Sequence, residues 1–358
     1  EAEAYAQMLN NQSNPDVQAI QKLTYKVDNL DLVQELLVAS SQARMVPDPG
    51  FGNDDPNNPP PRSLFVLTDK AQLETGVDVT MEQIPIAVAT LYLFGKQTDR
   101  DARVELVLAN LNGEDAATSV LQTICEDELG KLEDTSDITE VPVLADALSW
   151  NPVFPEDTPQ ELMQQLSLTQ REDGFRNIFP TLQLQAFDGR TAEELALDFN
   201  HRIKVQATLL IIETNLQCRD YQTDLNFVRE ILGLGLLKPI DPTDVELSQI
   251  TDVQLGRYDV TKMSTDQLAH CYQRCLVITF RKAIVAIAEE IIARDEKPQH
   301  LNLADVYGSL LETRSTTEER VELIEKAKQA ALDANQSPAI WMLREIPLRI
   351  MSGDTQKA

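Results

Sequence analysis

The chain has 358 residues, of which 42% are hydrophobic and 25% charged, a composition typical of globular domains rather than disordered segments. Its 58 Asp and Glu residues outnumber its 31 Lys and Arg residues, so the formal net charge is −27. This charge argues against nucleic-acid binding, which depends on cations that neutralise phosphates, and it disfavours anionic membrane surfaces. The sequence contains no run of about 18 apolar residues, so it predicts no membrane insertion.

The N-terminal part of the chain is predicted to hold one helix. The 13 glycines are few, which favours helices over the glycine-rich loops of many sheet enzymes. Asn29 is a suitable N-cap, because an apolar stripe with helical spacing follows it through Ala39. Pro, Gly, Asn and Asp then crowd residues 47–61, which predicts a linker or long loop at a domain boundary. A Pro-rich docking ligand is the alternative for this segment.

Three consecutive helices are predicted after this boundary. The preceding run Ser63–Thr68 is short and apolar, and it fits either a strand or a buried helical turn. Thr80 and Gln83 resemble a capping box, in which each side chain bonds the backbone of the other residue. They therefore predict that a helix begins near Ile84. The apolar spacing predicts these three helices over 84–94, 101–111 and 114–132.

The middle of the chain mixes irregular and helical segments. Residues 134–159 contain several prolines and are predicted to be irregular. Thr191 and Glu194 form a second capping-box pattern, which predicts a long helix over 191–218. Residues 207–214 are β-branched enough to fit a buried strand, but the apolar pattern is longer than a typical strand. Shorter helices are predicted over 159–168, 174–187 and 223–237.

The longest predicted helix spans 267–293. Ser264 and Asp266 lie where its N-terminus is expected, and its apolar residues fall close to one side. The helix is predicted to end at a charged turn that contains Pro298.

The C-terminal residues are predicted to form a helical hairpin followed by a half-hairpin. Its helices are predicted over 301–311, 318–334 and 339–350, and Trp341 lies near the start of the third. Small or apolar residues stand where the helices must pack closely, at Ala304, Tyr307, Gly308, Leu311, Leu323, Ala327 and Ala331. The segment resembles a tetratricopeptide-type hairpin, whose repeat period is ~34 residues. The resemblance implies an α-solenoid with a groove for peptides or helices of other proteins.

These patterns together predict a mainly α fold. We expect helical hairpins stacked as an α-solenoid-like array and joined by Pro-rich irregular linkers. The expected divisions are an N-terminal helical segment, a linker, two helical domains and the tetratricopeptide-like hairpins, at 1–46, 47–62, 63–155, 156–262 and 263–358. The chain begins at Glu1 without Met, which favours a processed form or a fragment and leaves the compartment open.

One cluster carries metal-ligand residue types. His270, Cys271 and Cys275 lie together on the longest predicted helix, and the two cysteines are one helical turn apart. Thiolates on one helix face can bind zinc, but a closed zinc site needs four ligands and no second pair completes this one. Buried core positions are therefore the favoured interpretation of both cysteines.

No other motif completes a site. His201 follows Asp198, which fits a catalytic dyad but more simply a surface histidine. The G-x-G of residues 232–236 has Lys238 where a dinucleotide-binding loop needs its third glycine. The paired carboxylates do not stand out from an acidic solvated surface. We therefore predict no catalytic, cofactor-binding or metal-binding residues and no cofactor.

The favoured function is a protein–protein interaction scaffold or assembly subunit that uses a helical-repeat surface without catalysis. The partner would be another protein, and a basic one would be attracted by the net charge of −27. The same acidity is also explained by solubility alone. The alternatives are an enzyme whose site is assembled from dispersed residues and a self-assembling structural subunit. The oligomeric state stays open.

Overall fold

The computed structural model describes residues 2, 5–6, 16–47, 60–96, 100–217, 224–243, 245–314 and 316–351. The chain divides into two compact units. We call residues 13–195 the sheet unit, and residues 1–12 together with 196–358 the helical unit. Most of the predicted linker at 47–61 lies outside the described residues.

The sheet unit contains a six-stranded antiparallel sheet with the strand order β2-β3-β4-β5-β1-β6. Its strands are β1 (Val17–Val27), β2 (Ala43–Val46), β3 (Ser63–Thr68), β4 (Ala87–Phe94), β5 (Arg103–Leu108) and β6 (Leu129–Pro142). Its helices are α1 (Leu30–Ala39), α2 (Glu114–Cys125), α3 (Val143–Ala147), α4 (Gln160–Asn177) and α5 (Ala192–Leu197), the last of which continues into the helical unit. Short 3₁₀ turns lie at Glu126–Glu128, Phe179–Thr181 and Gln185–Phe187.

One face of this sheet forms the core of the unit. Alternate residues of β4 and β5 are buried and lie opposite one another, as Leu91 pairs with Leu106 and Leu93 with Val104. Helices α1 and α2 supply the apolar side chains that pack on this face, at Leu30, Val33, Leu37, Ala117, Leu121 and Ile124. The helix predicted after Asn29 is confirmed, and the Asn29 side chain accepts a hydrogen bond from the Leu32 N–H at 3.2 Å.

The opposite face of the sheet is half-buried and polar in part. Glu105 accepts a hydrogen bond from Arg103 Nε at 2.7 Å and lies 3.2 Å from Lys22 Nζ. The Arg103 guanidinium in turn lies 4.2 Å from the centre of the Phe94 ring. The sheet therefore has one apolar and one mixed face, as antiparallel sheets commonly do.

The predicted mainly α fold, an α-solenoid-like array of helical hairpins, is wrong because residues 13–195 contain this sheet. The helices predicted over 84–94 and 101–111 are the strands β4 and β5. Gln83 does reach back to the Thr80 N–H at 2.9 Å, but the two residues enclose only a turn, and strand β4 follows. The apolar positions of β4 also fit helical spacing, and pairing with β3 and β5 makes the segment extended.

The boundary between α2 and β6 was also misplaced by the sequence patterns. The helix predicted over 114–132 ends at Cys125, and Glu126 follows with a positive φ of 48°. The chain then enters β6, which covers the first part of the segment predicted to be irregular over 134–159. The open alternative at Ser63–Thr68 is resolved as the strand β3.

The helical unit is built from seven named helices in the described part of the chain. They are α6 (Arg202–Gln217), α7 (Asn226–Ile231), α8 (Thr265–Val277), α9 (Arg281–Ala293), α10 (Leu303–Gly308), α11 (Thr317–Asp333) and α12 (Ala339–Met351). Short 3₁₀ turns lie at Leu247–Gln249, Asp252–Arg257, Val260–Lys262 and Leu311–Thr313. Helices α8 and α9 share one apolar core, which includes Leu268, Cys271, Cys275, Ala283, Ile287 and Ile291.

Two long predicted helices are each divided. The helix predicted over 267–293 breaks at Thr279, whose φ of 55° lies in the left-handed region that helices do not use. The helix predicted over 191–218 becomes α5 and α6, with a turn between them. Its predicted capping box is confirmed, because Thr191 N–H bonds Glu194 Oε2 at 3.0 Å and Glu194 N–H bonds Thr191 Oγ1 at 3.2 Å.

A buried ion pair links α6 to α7 in the helical unit. Arg229 is 1% exposed, and its Nη2 donates to Glu213 Oε2 at 2.7 Å. The other carboxylate oxygen of Glu213 accepts a hydrogen bond from the Leu225 N–H at 3.1 Å. Both charges have lost most of their hydration, so each depends on the other.

We predict that Arg229→Met destabilises the protein by about 3–5 kcal/mol, because it leaves the Glu213 carboxylate buried without its partner. The double variant Glu213→Gln/Arg229→Met should lose less stability, since no charge remains buried. Urea unfolding followed by circular dichroism measures both. The exposed pair of Lys326 and Glu322 provides a control, because Lys326→Met should change the midpoint little. Equal losses in the single and double variants would contradict the argument.

Candidate functional site

The last helix of the described chain, α12, packs on α10 and α11 through Trp341. Trp341 is 4% exposed and lies in an apolar cluster with Ala304, Ile324 and Ala327. Gly308 makes this packing close, because a Cβ at that position would lie 2.4 Å from the indole ring. The arginine of the next turn, Arg344, lies 4.8 Å above the same ring. The prediction that Gly308 stands at a close helix contact is therefore confirmed.

A buried carboxylate fixes the orientation of α12 about its own axis. Glu345 is 7% exposed, and it accepts hydrogen bonds from Lys328 Nζ of α11 at 2.8 Å and from Arg349 Nε. Lys328 and Arg349 also reach Glu325 of α11, at 2.8 and 3.3 Å. Burial opposes ionisation of Glu345, but the hydrogen bonds from these two cations outweigh it and lower the pKa of the carboxyl.

The side of α12 that faces away from α11 is also apolar. Helical residues advance by about 100°, so the buried Trp341 and Glu345 share one side of the helix with the half-buried Leu348. Five large apolar residues lie on the other side. These five have exposed fractions between 36% and 67%: Ile340, Met342, Leu343, Ile346 and Ile350. Together with the exposed Pro347 they form what we call the apolar face of α12. A helix that is apolar on all sides is typical of a buried helix.

A groove of about 800 Å³ lies beside this face within the helical unit. Its walls come from α8, α9, α10, α11 and α12, together with the residues that join them. The apolar lining side chains are Leu276, Ile284, Leu311, Ile324, Leu343, Pro347 and Leu348. We call this depression the groove.

The charges at the groove are mainly positive. Arg281 is paired with Glu312, and both line the groove. Arg320 and Arg344 also line it, and neither has a carboxylate partner among the residues that the structure describes. The groove therefore carries two uncompensated cations in a chain whose net charge is −27.

The predicted interpretation of Cys271 and Cys275 as core residues is supported by their burial. Both are 0% exposed and belong to the shared core of α8 and α9. Burial raises the pKa of the Cys271 thiol to about 11, so the thiol is uncharged at neutral pH. No group of three or more His, Cys, Asp or Glu residues that could hold a metal ion occurs in the described ranges.

His201 and Asp198 do lie together, but on an accessible turn. His201 Nδ1 is 2.7 Å from Asp198 Oδ2, and the side chains are 45% and 30% exposed. The G-x-G segment follows helix α7, and Gly233 has a φ of 64° at the turn that ends this helix. A dinucleotide-binding loop instead follows a strand and begins a helix, so its context is missing here.

Comparisons with protein-family models, curated proteins and solved structures found no match for this chain. The tetratricopeptide-type resemblance of the C-terminal residues therefore stays a prediction. In the described part of the chain, no helix combines the length and the hydropathy needed to cross a membrane.

The sequence patterns located α12 but missed its exposed face. A helix over 339–350 was predicted, and α12 runs from Ala339 to Met351. The sequence did contain a signal for this exposed face, because apolar residues occur on opposite sides of the helix. A local pattern does not reveal which sides of the helix the rest of the chain covers.

We predict that Cys125 and Cys271 resist alkylation by iodoacetamide at pH 8 in the folded protein. Burial raises the pKa of each thiol to about 11, so the reactive thiolate forms only as the pH rises toward that value. Peptide mapping by mass spectrometry before and after unfolding in guanidinium measures this. Alkylation of Cys271 in the native state at the rate of an exposed cysteine would restore the metal interpretation.

We predict that α12 loosens in acid when Glu345 is protonated. Its folded pKa lies below the unfolded value of about 4.3, so its stabilising contribution is complete above that pH. The contribution is lost as the pH falls through the folded pKa. In a Trp150→Phe background, Trp341 emission should shift to the red in this range. Adding Glu345→Gln should remove the pH-dependent step, and an identical step in that variant would contradict the assignment.

Proposed function

We propose that this protein is a protein-binding scaffold or assembly subunit that docks a partner on the helical unit. The observation that carries the proposal is the apolar face of α12, which lies beside the groove and leaves Leu343 67% exposed. Contiguous exposed apolar surface of this kind marks interaction sites on soluble domains. Burial of a leucine and several isoleucines in such a surface provides most of the free energy of helix-in-groove recognition.

The distribution of charge supports a role in association. Residues 13–195 hold 32 acidic and 12 basic residues, a formal charge of −20. The helical unit holds 26 acidic and 19 basic residues, a formal charge of −7. A basic region of a partner would be attracted to the sheet unit and repelled from the two free arginines at the groove. The same field disfavours nucleic acid as the partner.

The two other functions considered from the sequence stay predictions. An enzyme with a site assembled from dispersed residues would need a pocket with converging polar groups, and the lining of the groove is mainly apolar. A self-assembling structural subunit would use the apolar face of α12 for contact with other copies of the chain. The experiment below separates self-association from binding of a different protein.

We predict that a photo-crosslinking residue at position 343 captures a discrete partner in an extract of the source cells. A benzophenone side chain there should give one dominant adduct, because Leu343 lies at the groove. The matched control is position 332, since Leu332 is a leucine of α11 that is 52% exposed and lies outside the groove lining. Mass spectrometry of the adducts at low and raised salt identifies the captured chain.

The outcomes discriminate between the functions. An adduct at position 343 that is absent at position 332 supports partner binding by this surface. An adduct that contains only a second copy of the bait supports the structural subunit instead. A folded bait without any specific adduct at position 343 contradicts the proposal, and metabolite screening then becomes the appropriate test.

A further inference from the structure

The groove is formed entirely by helical segments and the residues that join them, and its geometry suits another helix. On α12 the residues Ile340, Leu343, Pro347 and Ile350 follow one another at spacings of three, four and three. Ten residue steps separate Ile340 from Ile350, which corresponds to about 15 Å and nearly three helical turns at 1.5 Å per residue. Spacings of three and four are those by which one helix packs along another. An extended strand would instead need unpaired backbone groups, which the wall of a helix does not offer.

The margins of this face are basic. At 100° per residue, Arg344 lies next to one edge of the apolar face of α12 and Arg349 next to the other. Arg349 is engaged with Glu345 and Glu325, while Arg344 stacks on Trp341 with its charge unpaired in the described residues. Arg320 adds a second unpaired cation to the lining of the groove.

We propose that the groove binds an amphipathic helix of another protein whose apolar stripe is flanked by Asp or Glu residues. The stripe covers Leu343, Pro347 and the groove lining, and the flanking carboxylates pair with Arg320 and Arg344. The inference rests on the proposed function, since it names the class of partner for the same surface. The charge of the groove favours this helix over a basic one. Flanking carboxylates would pair with Arg320 and Arg344, whereas flanking lysines would be repelled by the same two arginines.

A second copy of the chain is a poorer occupant. Pairing of two such grooves would bring Arg320 and Arg344 of each copy toward the same cations of the other.

Two fluorescent probe peptides of equal length test the proposal. Both carry the same leucine stripe at helical spacing, and the flanking positions are Glu in one probe and Lys in the other. Fluorescence anisotropy with the intact chain at 0.15 M salt should show that the Glu probe binds roughly tenfold more tightly than the Lys probe.

Variants of the chain separate the contribution of charge to binding from that of apolar contact. Arg320→Glu/Arg344→Glu should reverse the preference, so that the Lys probe becomes the tighter ligand. Leu343→Ser should lower the affinity for both probes about tenfold, because it removes the central apolar contact. Leu332→Ser is the matched control and should leave both affinities unchanged. Circular dichroism melting of each variant verifies that it remains folded.

Equal affinity for the two probes, a preference of the unaltered chain for the Lys probe, or unchanged selectivity in the double arginine variant would overturn the inference. Concentration-dependent dimerisation that Leu343→Ser abolishes, measured by analytical ultracentrifugation, would assign the groove to a second copy and would overturn it too. A specific crosslink from position 343 together with unselective probes would leave the proposed function intact while the acidic-helix inference fails.

Discussion

The position of α12 depends on the burial of Trp341 against Gly308 and of Glu345 against Lys328. These contacts hold one side of the helix on α10 and α11, so the rotation of α12 about its axis is fixed. Because apolar residues lie on two opposite sides of the helix, packing one side against α10 and α11 leaves the apolar residues of the other side exposed to solvent. The groove and the exposed face are therefore consequences of how the inner side is packed. Under the proposed function, the surface is formed before any partner arrives, and such preorganisation reduces the entropy lost on association.

Capping residues predicted the start of two helices correctly, but the capping-box pattern of Thr80 and Gln83 came before a strand. The sequence failed where long-range pairing decided the structure. Asn29 and Ser264 each cap a helix at the predicted place, through side-chain hydrogen bonds that are local. The strands β4 and β5 depend on partners distant in sequence, and their apolar residues fit both helical and strand spacing. Thr279 shows a different limit, since a single residue with positive φ divides a pattern that is continuous in sequence.

Parts of the candidate site could also be predicted from the sequence. The spacing that placed Gly308 at a helix contact needs only a local pattern, and the structure confirms the contact with Trp341. Which side of α12 stays uncovered is a tertiary property, because it depends on which neighbours reach the helix. The positive charge of the groove could not be predicted from the sequence, for a second reason. A total of 58 acidic residues describes the chain as a whole and conceals the uncompensated Arg320 and Arg344.

The edge strand β6 has two features that oppose pairing with a strand of another molecule. Fourteen residues at the margin of a sheet present unpaired backbone groups that can recruit a strand of another molecule. Register shifts along the pairing of β6 with β1 interrupt the regular edge, and the exposed Glu133, Asp134, Asp137 and Glu140 add like-charge repulsion. The irregular geometry does not depend on salt, whereas the like-charge repulsion is screened as the ionic strength rises. Raised salt therefore weakens one of the two barriers to aggregation through this strand and leaves the other in place.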